Sequence, residues 1–291
     1  AANNSMYTHN VSATDDTAQN NTAYGFSALQ GITSGDNNTT IGRNAGGSLN
    51  TGNNNAILGS FAGDALTGGQ NNVAVGFAAL SAETTGSQSV AVGHQALLVQ
   101  EVQGDAYNTA VGFEAGKAVT TGIDNTIIGG LAGDALTTGS DNVAIGKSAL
   151  STEDTGSHNV AIGNEALQDL NYNGNGYNTA IGSRAGADIT TGIQNTLIGG
   201  LAGDALTEGG YNVAIGYAAL SAEDGHGKNV AIGYRSLTSQ DAGANAYNIA
   251  IGFDSGRLIS TGTNNTVIGG FAGDALTSGN NNTVVGYSAL G

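Results

Sequence analysis

A five-residue string, Asn-Thr/Val-Ala-Ile-Gly or a close variant of it, recurs along the chain at nearly fixed intervals. Its glycines are Gly25, Gly42, Gly59, Gly76, Gly93, Gly112, Gly129, Gly146, Gly163, Gly182, Gly199, Gly216, Gly233, Gly252, Gly269 and Gly286. Twelve of the fifteen intervals are 17 residues and three are 19, the longer ones following Gly93, Gly163 and Gly233, so four turns make a super-repeat of 70 residues. A period this short excludes paired-helix repeats, which need roughly thirty residues or more. It accommodates two or three short strands joined by corners. Such a unit cannot bury its own apolar face and must stack on its neighbours. The predicted fold is all-β: a parallel β-solenoid, or β-roll, of about sixteen 17–19-residue turns spanning residues 21–291. Residues 1–20 stand outside the repeat as an N-terminal extension or docking segment. At about 4.8 Å per turn, the stack predicts a rod roughly 75 Å long.

Within each string, residues alternate as in a short strand. The residue before the repeat glycine is aliphatic in fifteen of sixteen turns (Ile41, Val75, Ile145, Ile232), Tyr24 being the exception. It shares a face with the Thr, Val, Ile or Ala two positions earlier. Asparagine and alanine share the other face, with Ile57, Ile127, Leu197 and Val267 replacing alanine once per super-repeat and Thr40 and Val284 as further replacements. Ser89 is the one substitute for the asparagine, a regularity that predicts a ladder of stacked amides. Glycines at the strand end and before the next asparagine are expected to supply corners with positive φ. Both strand faces are thus apolar or small, although water on an outer face selects polar residues. The asparagine–alanine face is therefore expected to lie against another copy of the chain, with the bulky positions locking axial register in a cyclic homo-oligomer.

Composition excludes several function classes. The chain has no cysteine, so it has neither disulfides nor thiolate metal sites. Seven basic residues against 23 acidic ones give a net charge of -16, which is incompatible with a phosphate-neutralising nucleic-acid surface. No apolar run reaches the length of a membrane span, so no membrane insertion is expected of this segment. Glycine, at 49 residues, follows no three-residue period and proline is absent, which excludes collagen. A 39% hydrophobic content with regular β-branched residues argues against disorder.

Few residues read as chemistry. Asp64, Asp134, Asp204 and Asp274 recur in Ala-Gly-Asp-Ala-Leu-Thr and are expected to cap turns by accepting backbone N–H bonds, with a calcium site as the other reading. Glu83, Glu153 and Glu223 read as solvated outer-face charge, and His9, His94, His158 and His226 as surface histidines without clustered carboxylates. No catalytic residues, metal ligands or cofactors are predicted, because short regular turns leave no long loops from which to build a two-carboxylate cleft. The three 19-residue turns offer the candidate ligand-binding residues Tyr107, Tyr177, Tyr247, Asp105 and Asn175; the competing reading has each tyrosine covering the corner of its longer turn. Phe26, Phe77, Phe113, Tyr217, Tyr234, Phe253 and Tyr287 follow the repeat glycine and suit subunit seams.

Motifs such as Asn142-Val143-Ala144-Ile145-Gly146 and Asn159-Val160-Ala161-Ile162-Gly163 resemble the head repeats of trimeric autotransporter adhesins and the related repeats of bacteriophage tail fibres. The resemblance covers nearly the whole chain. It implies a parallel three-chain β-roll in which the recurring strand lines the trimer interior. The functional expectation is a non-enzymatic, extracellular attachment fibre on a bacterial surface or virion. It would assemble as a homotrimer and bind a host or cell-surface glycan or protein. The alternative is a subunit of an extracellular filament joined end to end.

Overall fold

The computed structural model describes residues 6–7 and 17–291. His9 and most of the expected docking segment therefore lie outside the described residues. The chain divides into two compact units, residues 1–142 and 143–291. In the first unit, β1 (Met6–Tyr7) precedes one three-residue strand per turn, from β2 (Thr22–Tyr24) to β8 (Thr126–Ile128). The second runs likewise from β9 (Val143–Ile145) to β17 (Thr283–Val285). Within each unit every strand pairs in parallel with the next in sequence, as a β-solenoid requires. The 19-residue turns keep this register, pairing Val90 with Thr109 and Val92 with Val111, so their two extra residues are absorbed outside the strand. β1 adds a strand that the repeat pattern does not reveal, with Met6 opposite Thr22.

The amide ladder is present and does two things. Asn55 Oδ1 accepts the backbone N–H of Asn72 at 2.9 Å, and Asn178 Oδ1 that of Asn195 at 3.0 Å, tying each turn to the next. Most Nδ2 groups donate to a glycine carbonyl 14 residues on, as Asn108 does to Gly122 at 2.7 Å and Asn178 to Gly192 at 2.9 Å. That bond closes the turn on itself. Where Ser89 interrupts the ladder, Gln100 fills the gap by donating to Ser89 Oγ at 2.8 Å and accepting from Asn108 Nδ2 at 2.8 Å.

The ladder bonds also fix an unusual backbone. Among the described residues, forty other than glycine have φ between +48° and +67°, two or three in each turn. They fall two residues after the repeat glycine, at the leucines four after it, and just before the ladder position. This conformation is costly for L-residues, by about 1–2 kcal/mol each. Hydrogen bonds between turns offset it: Leu29 donates to the Ala45 carbonyl and Asn44 to that of Phe26. Strand-end glycines such as Gly163 (φ +142°) hold the expected positive φ. Glycines three before the ladder position do not need it; a Cβ on Gly52 would lie 2.2 Å from the Gly69 carbonyl oxygen. Most of them are glycines because the next turn passes too close.

Strand burial reverses the expected orientation. The alanines at mid-strand, Ala74, Ala91, Ala144, Ala161 and Ala231 among them, are fully buried, and so are the ladder asparagines. The asparagine–alanine face therefore lines each unit's own interior and is not available to a partner. The bulky replacements also act inward. A Cβ on Gly116 would lie 2.9 Å from Ile127 Cδ1, and one on Gly133 would lie 3.4 Å from it; Leu197 stands equally close to Gly186 and Gly203. Other turns carry leucine where these have glycine: Leu80, Leu97, Leu150 and Leu167 are all fully buried. The 70-residue super-repeat is thus a packing pattern, in which one bulky strand residue fills the space above two successive glycines.

Close approach separates two otherwise similar substitutions. Gly122→Ala places a Cβ 2.2 Å from the Gly139 carbonyl oxygen, whereas Gly130→Ala meets nothing nearer than 4.0 Å. Thermal unfolding is expected to show a loss of about 1–3 kcal/mol for Gly122→Ala. Gly130→Ala should be neutral or slightly stabilising.

Candidate functional site

The opposite strand face points outward, and it is the apolar one. Its two rows are the aliphatic residue before each repeat glycine and the Val, Thr or Ile two positions earlier. Ile128, Ile181, Ile198, Ile251 and Ile268 each expose slightly more than a third of their surface. No charged residue interrupts either row. Directly after the strand, exposed aromatic rings stack from turn to turn. In the first unit Phe77, His94 and Phe113 lie with centroids 5.3 and 5.2 Å apart. In the second, Tyr217, Tyr234 and Phe253 lie 5.6 and 5.1 Å apart. His94, a surface histidine as expected, contributes its ring to this column.

The long-turn tyrosines form separate sites. Tyr107, Tyr177 and Tyr247 are each about half exposed, in the positive-φ position just before the ladder asparagine. Burial falls instead on the residue before each of them, Ala106, Gly176 and Ala246. The corner is therefore closed from beneath, and the rings project beside it. Asp105 and Asn175 are exposed and meet their own loop's tyrosine: Tyr107 Oη donates to Asp105 Oδ2 at 3.3 Å, and Asn175 Nδ2 donates to Tyr177 Oη at 3.1 Å. His158 stacks on Tyr177 at 5.1 Å, and the Lys228 ammonium sits 5.2 Å from the Tyr247 ring centroid. Each site is thus an exposed ring with one or two polar partners. Sequence reasoning found the tyrosines but not His158 or Lys228, which come into contact only because they lie one turn earlier.

The recurring acids differ from their expected roles. Asp64, Asp134 and Asp204 each bury an Oδ1 that accepts no hydrogen bond, while the Asp134 and Asp204 carboxylates still take a bond from their own backbone N–H. Burial raises the carboxyls of Asp134 and Asp204 above their usual range; Glu114 adds to the effect at Asp134, while Arg184 opposes it at Asp204. Glu83, Glu153 and Glu223 are fully buried, not solvated. They occupy an inward position seven residues after the repeat glycine, held by Leu66, Leu136 and Leu206 in neighbouring turns. Two of them are well satisfied. Glu83 accepts from the backbone N–H groups of Thr85, Gly86 and Val102 and from Gln100 Nε2. Glu153 accepts from Thr155, Gly156 and Tyr172. Its carboxyl is still raised, because burial outweighs those bonds.

Glu223 stands apart. Asn229 Nδ2 reaches it at 3.4 Å and the His226 backbone N–H also interacts with the carboxylate, but its Oε1 has no hydrogen-bond partner. Burial, then the charges of Asp241 and Asp224, push its carboxyl up to about 7. Its Oε1 lies 3.7 Å from His226 Nδ1, and Asp224 Oδ1 lies 3.9 Å from the same nitrogen. His226 is thus not an isolated surface histidine. Among the described residues these three make the one cluster with metal-ligand spacing, which corrects the expectation that no histidine has a carboxylate in reach. The signal was local in sequence, Glu-Asp-Gly-His, but it was hidden by reading the glutamate as outward.

No protein family, curated protein or solved structure matches this chain. Among the described residues no helix is long and apolar enough to cross a membrane.

The half-buried Asp134 and Asp204 give a signed pH dependence. Folding raises their pKa above the ordinary 3.8, so the folded chain holds these protons more tightly than the unfolded chain. Their contribution to stability falls as pH rises above that value, and levels off above the raised pKa. Asp134→Asn and Asp204→Asn are expected to raise the melting temperature near pH 8, the gain vanishing towards pH 3.5. Thermal unfolding across that range checks both the sign and the window.

Proposed function

We propose that the chain is a non-enzymatic fibre segment that assembles with copies of itself through its outward strand face and displays the tyrosine loops for attachment. One observation carries this reading: in each unit two rows without a charged residue, one largely aliphatic and one of valine, threonine or isoleucine with Ala56, remain on the outside of a strand whose polar ladder is already inside. Contiguous apolar surface of this kind marks an interaction site. A second copy supplies the best complement, because its rows have the same spacing from turn to turn. Three copies, the number implied by the adhesin and tail-fibre resemblance, bring three such faces around one axis. The aromatic columns beside the rows then line the seams. The bulky residues Ile57, Ile127, Leu197 and Val267 have no part in that contact, being interior.

In this reading the fibre stands on a bacterial surface or virion and binds a cell-surface glycan or protein. Exposed rings with polar neighbours suit both partners. Recurrence of the site gives avidity without a deep pocket. The net charge of -16 keeps separate fibres apart.

Light scattering tests the assembly. A mass near three times 28.6 kDa is expected, falling to 28.6 kDa for Ile181→Asp/Ile198→Asp with unchanged circular dichroism. A monomeric wild-type chain overturns the proposal, and a very large polydisperse mass favours the end-to-end filament. For attachment, Tyr107→Ala/Tyr177→Ala/Tyr247→Ala is expected to abolish binding to printed glycans and immobilised cell-surface proteins while shifting the melting temperature by only a few degrees. A collapse in stability would instead assign the rings to corner packing.

A further inference from the structure

The three buried glutamates occupy equivalent places, so their differences are informative. In two copies a glycine follows three residues later, and its missing side chain makes the carboxylate's seat. A Cβ on Gly86 would lie 2.4 Å from Glu83 Cδ, and one on Gly156 would lie 2.5 Å from Glu153 Cδ. In the third copy that glycine is His226. The imidazole takes the space, and of the several backbone donors that surround Glu83 and Glu153, Glu223 keeps only the His226 N–H. A fully buried carboxylate oxygen then faces a buried imidazole nitrogen, neither with a hydrogen-bond partner. At 3.7 Å the two are too far apart to satisfy each other by a hydrogen bond.

We propose that Glu223, Asp224 and His226 form a structural binding site for one divalent transition-metal ion, zinc being the best fit. The separations of 3.7 and 3.9 Å from His226 Nδ1 to the two carboxylate oxygens are close to the edge of a zinc tetrahedron, about 3.4 Å for bonds of about 2.1 Å. One imidazole with two carboxylates is a borderline donor set, which favours zinc over calcium or magnesium. Asp224 is more than half exposed and His226 a third exposed, so the ion has a path from solvent and water completes its shell. The ion supplies the positive charge that Glu83 and Glu153 obtain from N–H dipoles. It also offsets the mutual repulsion of Glu223, Asp224 and Asp241. Only the third super-repeat has the site, since the equivalent segments read Glu83-Thr84-Thr85-Gly86 and Glu153-Asp154-Thr155-Gly156. The proposal is independent of the assembly reading.

Calorimetric titration of the chelator-treated full chain with zinc chloride tests this, together with the melting temperature with and without zinc. One zinc per chain is expected, with micromolar or tighter affinity, and a melting temperature raised by several degrees. Calcium should have no such effect. Glu223→Gln and His226→Gly should each weaken zinc binding at least tenfold. His226→Gly restores the glycine of the sister turns, so it is expected to fold and to be at least as stable as the metal-free wild type. Absence of zinc binding by the wild type overturns the proposal and leaves an imidazolium–carboxylate pair. Zinc binding undiminished in both variants overturns it too, placing the ion on other surface carboxylates.

Discussion

Everything in this protein depends on hydrogen bonds between equivalent residues of successive turns. A 17-residue turn has almost no interior of its own and no regular structure beyond three strand residues. Its backbone groups find partners only because the turn above repeats its path. The asparagine amide makes the repetition strict, holding its own turn closed with one group and the next turn in register with the other. Replacing one of these buried amides leaves a glycine carbonyl and a backbone N–H unpaired, each costing about 1–3 kcal/mol. The same dependence explains how forty non-glycine residues tolerate a left-handed backbone. No single turn would keep that conformation alone.

The narrow interior then dictates residue size. Alanine at mid-strand and leucine four residues after the repeat glycine fill half of the turns; where glycine replaces leucine, one isoleucine, leucine or valine reaches in from the strand for each pair of turns. The buried glutamates arise from the same arrangement. Where the leucine lies four residues after the repeat glycine, the inward position three residues later is free for a polar group, provided that donors surround it. Glu83 and Glu153 have three or four such donors, whereas Glu223 keeps fewer and leaves Oε1 without a partner.

The outer surface carries the functional reading. Two apolar rows, a column of stacked rings and the tyrosine loops lie on the outside of turns whose polarity is inverted relative to an ordinary exposed strand. The tyrosines of the long turns were legible because two inserted residues broke the period at a fixed place. His158 and Lys228 were not, because they belong to a different turn and reach the tyrosine only by stacking. His226 was legible as a residue but not as a ligand, because its partner had been assigned to the wrong side of the wall.

The sequence by itself determined the period, the parallel stacking, the amide ladder and the places where the turns lengthen. Each of these is carried by identical residues at fixed spacing, and a spacing of 17 residues admits few other folds. Only the tertiary structure decided which strand face is inside. Alternation separates the two faces without saying which one meets water, and hydrophobicity misleads here because the more apolar face is the outer one. Volume settles the matter: the interior is too narrow for a row of valine and isoleucine in every turn, and it needs the asparagine amides to close each turn. Hence alanine and asparagine go in, and the larger aliphatic residues are left outside.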